Sequence, residues 1–284
     1  MATKASIERG SSSAILSYLL GDIEKYIQIM EKEVRRLIKK YPNKNLAPVF
    51  SILPQKLITI GPMALCDDLT QDLGGICSDD VLTAIGLSCL PITTHDDVVD
   101  ETPKNRAKLA ALVYAGNIAG LEGMNILFQK NLPKVAEAFI KTIAENHYRQ
   151  QFRVDLLWEK KPKNFREYRY GIGDICSLAA IGPFCALTIT GRNDLRKIVA
   201  RFTTGYGVAL QLIDDIREFD EDKLTSYTSF PLFEGKPFKK SFQEIEHYLK
   251  MAKRAIKPDW TRTRFRFKNL ELFAQKIRKG FNGI

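Results

Sequence analysis

Apolar residues recur every three or four positions along most of the chain, and stretches with strand-like alternation are scarce. This period is that of an α-helix with one buried face. The sequence therefore predicts an all-α fold, a helical bundle that forms a single domain over residues 1–284. The predicted helices cover 12–41, 56–72, a segment starting at Asp79, 107–129, 132–158, 165–190, 194–219, 240–255 and 268–279.

Local signals set several boundaries of these helices. Ser78 precedes Asp79 and Asp80, which is the pattern of an N-cap followed by an acidic first turn. Pro42 ends the first helix, and Pro231 with the later Gly-Lys-Pro marks a loop. Near the C-terminus, the tract 262–268 alternates basic with other residues. Its spacing suits an extended segment as well as a helix end, and a solvated basic surface is an alternative reading.

Composition narrows the class of protein. Hydrophobic residues make up 45% of the 284 positions, enough for a folded core, and the formal net charge is +10. Such a charge suits nucleic acid, a membrane surface or a phosphorylated small molecule, and it does not choose among them.

The five cysteines form no CxxC pair, which favours reduced thiols in a cytoplasmic protein. The N-terminus lacks the order of a signal peptide, and no uninterrupted apolar run approaches the roughly 20 residues of a membrane span. No transmembrane segment is therefore expected.

Two acidic segments carry the candidate chemistry. Asp96, Asp97 and Asp100 stand at i, i+1 and i+4, so on a helix their carboxylates project in one direction. Like charges this close repel unless a cation neutralises them, and hard oxygen ligands suit Mg²⁺, which shares its remaining sites with substrate phosphates. A helix end whose carboxylates face solvent is the plainer alternative.

The second segment repeats the arrangement on a more apolar helix. Gln211, Asp214, Asp215 and Glu218 stand at i, i+3, i+4 and i+7, one continuous helical stripe preceded by the apolar run GYGVALQLI. A buried carboxylate without a partner is costly, and a metal ion is the simplest partner. Two such segments more than a hundred residues apart therefore predict a shared metal site.

Taken with Arg106, the runs HDDVVDE and LQLIDDIREFDED resemble the two aspartate-rich motifs of the trans-isoprenyl diphosphate synthases, within the class I terpenoid superfamily. The resemblance extends in order from about residue 55 to 235. It implies an all-α bundle with a deep central cavity, Mg²⁺ ions that bridge the carboxylates to an allylic prenyl diphosphate, and a homodimer. It also assigns the metal-ligand and catalytic roles to Asp96, Asp97, Asp100, Asp214, Asp215 and Glu218. The expected substrate contacts are Arg106, Lys56, Gln211 and Lys223.

The chain departs from that family at the site for the second diphosphate. Pro54-Gln55-Lys56 replaces a Gly-Lys-Arg segment, Asn105-Arg106 replaces an arginine pair, and Asp174-Ile175 stands where a Lys-Thr pair is usual. Losing cationic donors weakens diphosphate binding, and an aspartate in place of the lysine is expected to add repulsion.

These departures favour an enzyme that ionises one allylic prenyl diphosphate and then cyclises it or transfers the prenyl group. The alternatives are chain elongation with isopentenyl diphosphate, a non-catalytic subunit of a heteromeric synthase, and a basic nucleic-acid-binding protein. Nucleic acid is the least favoured partner, because the two acidic stripes would repel its phosphates.

Overall fold

The computed structural model of this chain describes residues 19, 21, 23–100, 106–222, 228–236 and 238–281, without the side chains of Asp96, Asp97, Val99, Asp100, Trp158, Glu221 and Asp222. All regular secondary structure in these residues is helical. The α-helices are α1 (Glu24–Lys40), α2 (Leu46–Ser51), α3 (Leu57–Asp72), α4 (Asp79–Asp100), α5 (Arg106–Gln129), α6 (Pro133–Arg153), α7 (Phe165–Gly171), α8 (Gly173–Ile189), α9 (Arg196–Arg217), α10 (Phe219–Asp222), α11 (Phe230–Glu234), α12 (Lys239–Ala255) and α13 (Thr261–Phe281). A π-helical turn, Val154–Lys160, extends α6, and short 3₁₀ turns occupy Leu53–Gln55 and Asn193–Leu195.

Helix α8 lies at the centre of the bundle and packs against α3, α6 and α9. On one side α4 packs along α5 and α3, and on the other α9 packs along α12. The buried apolar side chains form one cluster that runs from Leu19 to Ala274. This arrangement confirms the predicted all-α bundle.

Glycines allow two pairs of helices to approach backbone to backbone. A Cβ atom on Gly182 of α8 would lie 2.0 Å from the carbonyl oxygen of Pro62 in α3. A Cβ on Gly116 of α5 would lie 3.0 Å from Cα of Pro91 and would overlap the hydroxyl of Thr94, both in α4. Any side chain at these glycines would push the helices apart, so the central packing depends on them.

Most predicted helices are confirmed, and the exceptions have local causes. Ser78 caps α4 as expected, because its hydroxyl accepts a hydrogen bond from the Val81 N–H at 3.3 Å. The helix predicted over 12–41 is interrupted between the helical residue Leu19 and α1, which begins at Glu24, because Gly21 has a left-handed φ of 68°. Residues 12–18 lie outside the described part. The helix predicted over 165–190 breaks at Ile172, where α7 and α8 meet at a bend of 49°.

The basic C-terminal tract belongs to helix α13, and part of it is buried. The Arg266 guanidinium is 6% exposed and forms an ion pair with Asp68 of α3. The carboxylate of Asp72 accepts hydrogen bonds from the N–H groups of Arg262 (3.0 Å) and Thr263 (2.8 Å), which caps the start of α13. The tract is therefore partly a structural joint between α13 and α3, and its helix starts earlier than the predicted residue 268.

Helix α5 is apolar and is only partly covered by the rest of the bundle. By length and composition it is able to cross a membrane, with a mean hydropathy of 1.2 over its most apolar window, of which 44% is buried. Each of two bent helix pairs, α2 with α3 and α7 with α8, passes the same test if it is counted as one span. The expectation of no spanning segment was based on the length of uninterrupted apolar runs. Helix α5 does not meet that criterion because Glu122 interrupts its apolar run.

Glu122 ties α5 to α1 through a buried ionic network. Its carboxylate lies 2.7 Å from a guanidinium nitrogen of Arg36, 2.6 Å from Nζ of Lys40 and 2.6 Å from the Tyr41 hydroxyl. Burial opposes ionisation, but the hydrogen bonds from Lys40, Tyr41 and Arg36 lower the pKa of Glu122 to about 2. The group therefore stays charged in the folded protein.

Replacing Glu122 with Gln is expected to reduce the free energy of unfolding by about 1–3 kcal/mol, because the amide cannot neutralise Arg36 and Lys40. The pKa of Glu122 is depressed in the folded state, so its contribution is present above the ordinary glutamate pKa and is lost as the pH falls towards 2. Urea unfolding from pH 7 down to pH 2.5 measures this dependence. Asp194→Asn, at an exposed ion pair with Arg192, is the control and should change stability by less than about 0.5 kcal/mol. A constant difference between wild type and Glu122→Gln across this range would contradict the assignment.

Candidate active site

The second acidic segment occupies the C-terminal turns of α9. Gln211, Asp214 and Asp215 lie on the helix, and Glu218 follows its last residue. The N–H of Glu218 donates to the carbonyl oxygen of Asp214 at 2.9 Å, which holds Glu218 on the helical stripe predicted for it. The four predicted residues of this segment are therefore brought together on one stripe.

Asp215 is the buried member of the stripe, with 3% of its surface exposed. Its Oδ1 accepts a hydrogen bond from the Gln211 side-chain amide at 2.7 Å, and its Oδ2 accepts one from the Tyr168 hydroxyl of α7. Neutral donors on both oxygens stabilise the ionised carboxylate and fix its orientation. Gln211 is predicted as a substrate contact, and the contact that the structure describes for it is the hydrogen bond to Asp215.

Asp214 and Glu218 are the accessible members, with side chains 45% and 41% exposed. The same Nη2 atom of Arg217 pairs with both, at 2.7 Å from Oδ1 of Asp214 and in close contact with Oε1 of Glu218. Two carboxylates that meet at one nitrogen are near enough to share a single cation. Arg217 is itself held within the fold: its Nε atom is buried and has no hydrogen-bond partner among the described residues.

The first acidic segment forms the last turn of α4, and the side chains of Asp96, Asp97 and Asp100 lie outside the described part. The preceding turn of α4 is positioned against α6. The Gln150 amide donates to the carbonyl oxygen of Ile92 at 3.2 Å, and the rings of His95 and His147 lie 5.1 Å apart. Burial and the neighbouring His147 lower the pKa of His95.

The remaining predicted substrate-binding residues lie at helix starts or outside the described residues. Arg106 is the first residue of α5 and is exposed, and the half-buried Lys56 immediately precedes α3. Lys223 lies outside the described residues. Within the described ranges no three histidine, cysteine or carboxylate side chains converge in a way that could hold a metal ion. Convergence of the two acidic segments stays a prediction.

At the position of the missing Lys-Thr pair, Asp174 is buried and neutralised. Its carboxylate is 1% exposed and lies 3.3 Å from Nε of Arg153 in α6, while the Asn146 amide donates to its backbone carbonyl at 2.8 Å. Burial raises the pKa of Asp174, and the charge of Arg153 opposes that shift. The expected repulsion of a diphosphate by Asp174 is therefore corrected, because Arg153 compensates its charge.

Comparison with solved structures identifies the fold. No family model and no curated protein sequence matches the chain. A decaprenyl diphosphate synthase from Rhodobacter capsulatus is 12% identical with a TM-score of 0.70, covering 93% of this chain and 99% of its own. The chain has the all-α fold of the trans-isoprenyl diphosphate synthases. The resemblance predicted from the two acidic segments is confirmed at this level.

Two further structures share the isoprenyl diphosphate synthase fold. A geranylgeranyl pyrophosphate synthase from Corynebacterium glutamicum, complexed with calcium and isoprenyl diphosphate, is 15% identical with a TM-score of 0.65, covering 90% of this chain and 98% of its own. A heterotetrameric geranyl pyrophosphate synthase from mint is 13% identical with a TM-score of 0.55, covering 89% and 99% respectively.

Sequence reasoning missed two residues of the site. Arg217 stands inside the second acidic segment, three residues after Asp214, so helical spacing was a signal for its contact. Tyr168 stands 47 residues before Asp215 on a different helix, and no local pattern connects them.

Replacing Tyr168 with Phe is expected to lower the free energy of unfolding by about 1–2 kcal/mol, because a buried oxygen of Asp215 loses this donor. Equilibrium unfolding in urea measures the change. Tyr170→Phe is the matched control, since Tyr170 is 54% exposed two residues away, and it should leave stability within about 0.5 kcal/mol of wild type. Equal effects of the two variants would show that the Tyr168 hydroxyl does not support Asp215.

Proposed function

We propose that this chain is a Mg²⁺-dependent class I isoprenoid enzyme that ionises an allylic prenyl diphosphate and transfers the prenyl chain to isopentenyl diphosphate. The observation that carries the proposal is the stripe on α9, with Asp215 fixed beneath two accessible carboxylates, in a fold shared with prenyl diphosphate synthases. A cytoplasmic location belongs to the same proposal.

The described carboxylates suit a divalent cation. Asp214 and Glu218 already converge on one cationic nitrogen of Arg217, and hard oxygen ligands of this kind bind Mg²⁺. Asp215 and the three aspartates of the first segment would complete the ligand set, and Arg106, Lys56 and Lys223 would bind the diphosphate. When bound, the metal supplies Lewis-acid stabilisation of the departing diphosphate.

The chain's own residues prepare this site in two ways. Tyr168 and Gln211 hold the Asp215 carboxylate in one orientation, so little reorganisation is needed there during ionisation. The Arg217 guanidinium pairs with both Asp214 and Glu218 and offsets part of their charge, which limits the repulsion between them.

Elongation is preferred over cyclisation because the structures that share the fold are described as prenyl diphosphate synthases. The second candidate is cyclisation, or prenyl transfer to a neutral acceptor. It is favoured by the missing lysine at Asp174, which leaves the donor diphosphate with fewer cationic contacts. A non-catalytic subunit of a heteromer is the third, and the mint structure is described as heterotetrameric.

Assembly as a homodimer belongs to the proposal and is supported by the exposed face of α5. Tyr114, Leu121 and Phe128 are 61%, 71% and 57% exposed and stand seven residues apart, so they form one apolar stripe. Ile140 and Tyr148 of α6 are also exposed. Apolar stripes of this extent usually mark an interface in a folded protein.

Incubation with geranyl, farnesyl and geranylgeranyl diphosphates and Mg²⁺, each with and without isopentenyl diphosphate, tests the proposed reaction. We expect a longer prenyl diphosphate only when isopentenyl diphosphate is present, measured by mass spectrometry of the products. Hydrocarbon or alcohol formed without the donor would replace elongation with cyclisation. Asp97→Ala and Asp215→Ala should each lower turnover by about 10³-fold or more, because each removes a proposed metal ligand.

Asp194→Asn is the activity control, since it removes an exposed carboxylate on the α8–α9 connection and should keep wild-type turnover. Circular dichroism of each variant separates loss of activity from loss of helicity. Wild-type rates in Asp97→Ala or Asp215→Ala would exclude the metal-ligand assignment.

Leu121→Lys is expected to convert the dimer to a monomer, because the change places a charge at the centre of the apolar stripe. Sedimentation velocity should show twice the mass of one chain for wild type and a single chain for the variant. Ile76→Lys is the control, since Ile76 is 87% exposed outside α5 and α6. A monomeric wild-type protein would rule out the homodimer.

A further inference from the structure

A cavity lies apart from the acidic stripe of α9. It has a volume of about 1110 Å³ and is bounded by α6, α7, α8 and the first half of α9. None of Gln211, Asp214, Asp215 and Glu218 lines it. The helices α8 and α9 cross between the two places, where a Cβ on Gly207 would lie 3.1 Å from Cα of Cys176. Its volume is large enough for an organic ligand.

Cationic side chains dominate the rim of this cavity. The lining carboxylates already have donors: Glu145 pairs with Arg149 at 2.8 Å, Asp155 accepts from Gln151 at 2.9 Å, and Glu167 accepts from the Lys163 N–H at 2.8 Å. By contrast, four lining cations have no carboxylate partner within the described residues, namely Lys160, Arg166, Arg169 and Arg196. The cavity therefore presents uncompensated positive charge.

A fifth cation lies at the start of α8. Gly173, the first residue of that helix, lines the cavity, and a Cβ on it would lie 3.0 Å from a guanidinium nitrogen of Arg149. Glycine thus lets the Arg149 side chain lie directly against the helix start. The N–H groups there already donate to the buried Asp174 carboxylate, so the positive charge at this point of the cavity comes from the arginine.

Small apolar side chains form one part of the cavity lining. Ala180 of α8 and Ala200 of α9 face it, together with the ring of Phe184. The Arg196 guanidinium lies 4.4 Å from the centre of that ring and covers its face. Alanines in place of larger residues leave space that an apolar chain can fill.

We propose that this cavity binds an organic phosphate that carries an apolar chain. The phosphate contacts the arginines at the rim, and the chain lies along Ala180, Phe184 and Ala200. Because cations outnumber carboxylates in its lining, the site binds its ligand without a divalent metal. This property separates it from the acidic stripe and makes the inference independent of the proposed reaction.

Isothermal titration calorimetry with octyl phosphate in the presence of EDTA tests the proposal on the full chain. We expect saturable binding that is at least tenfold tighter than that of inorganic phosphate, since the chain adds apolar burial. Octyltrimethylammonium, which has the same chain and the opposite charge, should not bind. Octyl phosphate that binds no better than either probe would overturn the proposal.

Two variants locate the binding. Arg166→Gln combined with Arg196→Gln changes exposed side chains and should weaken binding of octyl phosphate at least tenfold. Ala180→Leu should weaken it similarly without changing the net charge, because it fills the cavity. Arg35→Gln, at an exposed arginine of α1, is the control for loss of charge and should bind as wild type. Unchanged affinity in the double arginine variant would overturn the assignment, as would binding to vesicles of phosphatidic acid without binding to octyl phosphate.

Discussion

A carboxylate buried in a helical core needs donors from another helix, and this requirement ties the bundle together. Each helix satisfies its own backbone groups, so an acid on its buried face must find partners across an interface. Among the described residues, five such acids join different pairs of helices. They are Glu122, which joins α5 to α1; Asp67, which joins α3 to α1; Asp68, which joins α3 to α13; Asp174, which joins α8 to α6; and Asp215, which joins α9 to α7.

The same requirement divides the acidic stripe into two kinds of carboxylate. Both carboxylate oxygens of Asp215 accept hydrogen bonds, one from Tyr168 and one from Gln211, and its position is therefore fixed by packing. Asp214 and Glu218 stand half exposed, and the Arg217 guanidinium that pairs with both lies between them. In the proposed cation site, Asp215 would hold the ion at one defined position, because its carboxylate is fixed by packing. The exposed Asp214 and Glu218 alone would not.

Local signals predicted the helices well, and contacts distant in sequence account for what they missed. Ser78 and the acidic turn after it are read from adjacent residues, and the stripe from Gln211 to Glu218 follows from helical spacing alone. The start of α13 depends on Asp72, which caps Arg262 from 190 residues away. The donor to Asp215 and the cation beside Asp174 are likewise set by how α7 and α6 pack, which no pattern within one helix encodes.

The pairing of Asp174 with Arg153 also changes how the departures from the family pattern bear on function. Replacing a lysine by a free aspartate would both remove an attraction for a diphosphate and add a repulsion. Because Arg153 neutralises Asp174 inside the core, only the attraction is lost. A loss of this kind weakens the affinity for a second diphosphate without preventing its approach. In the proposed elongation reaction, the aspartate at position 174 would therefore raise the concentration of isopentenyl diphosphate that is needed, and it would not prevent binding of that donor.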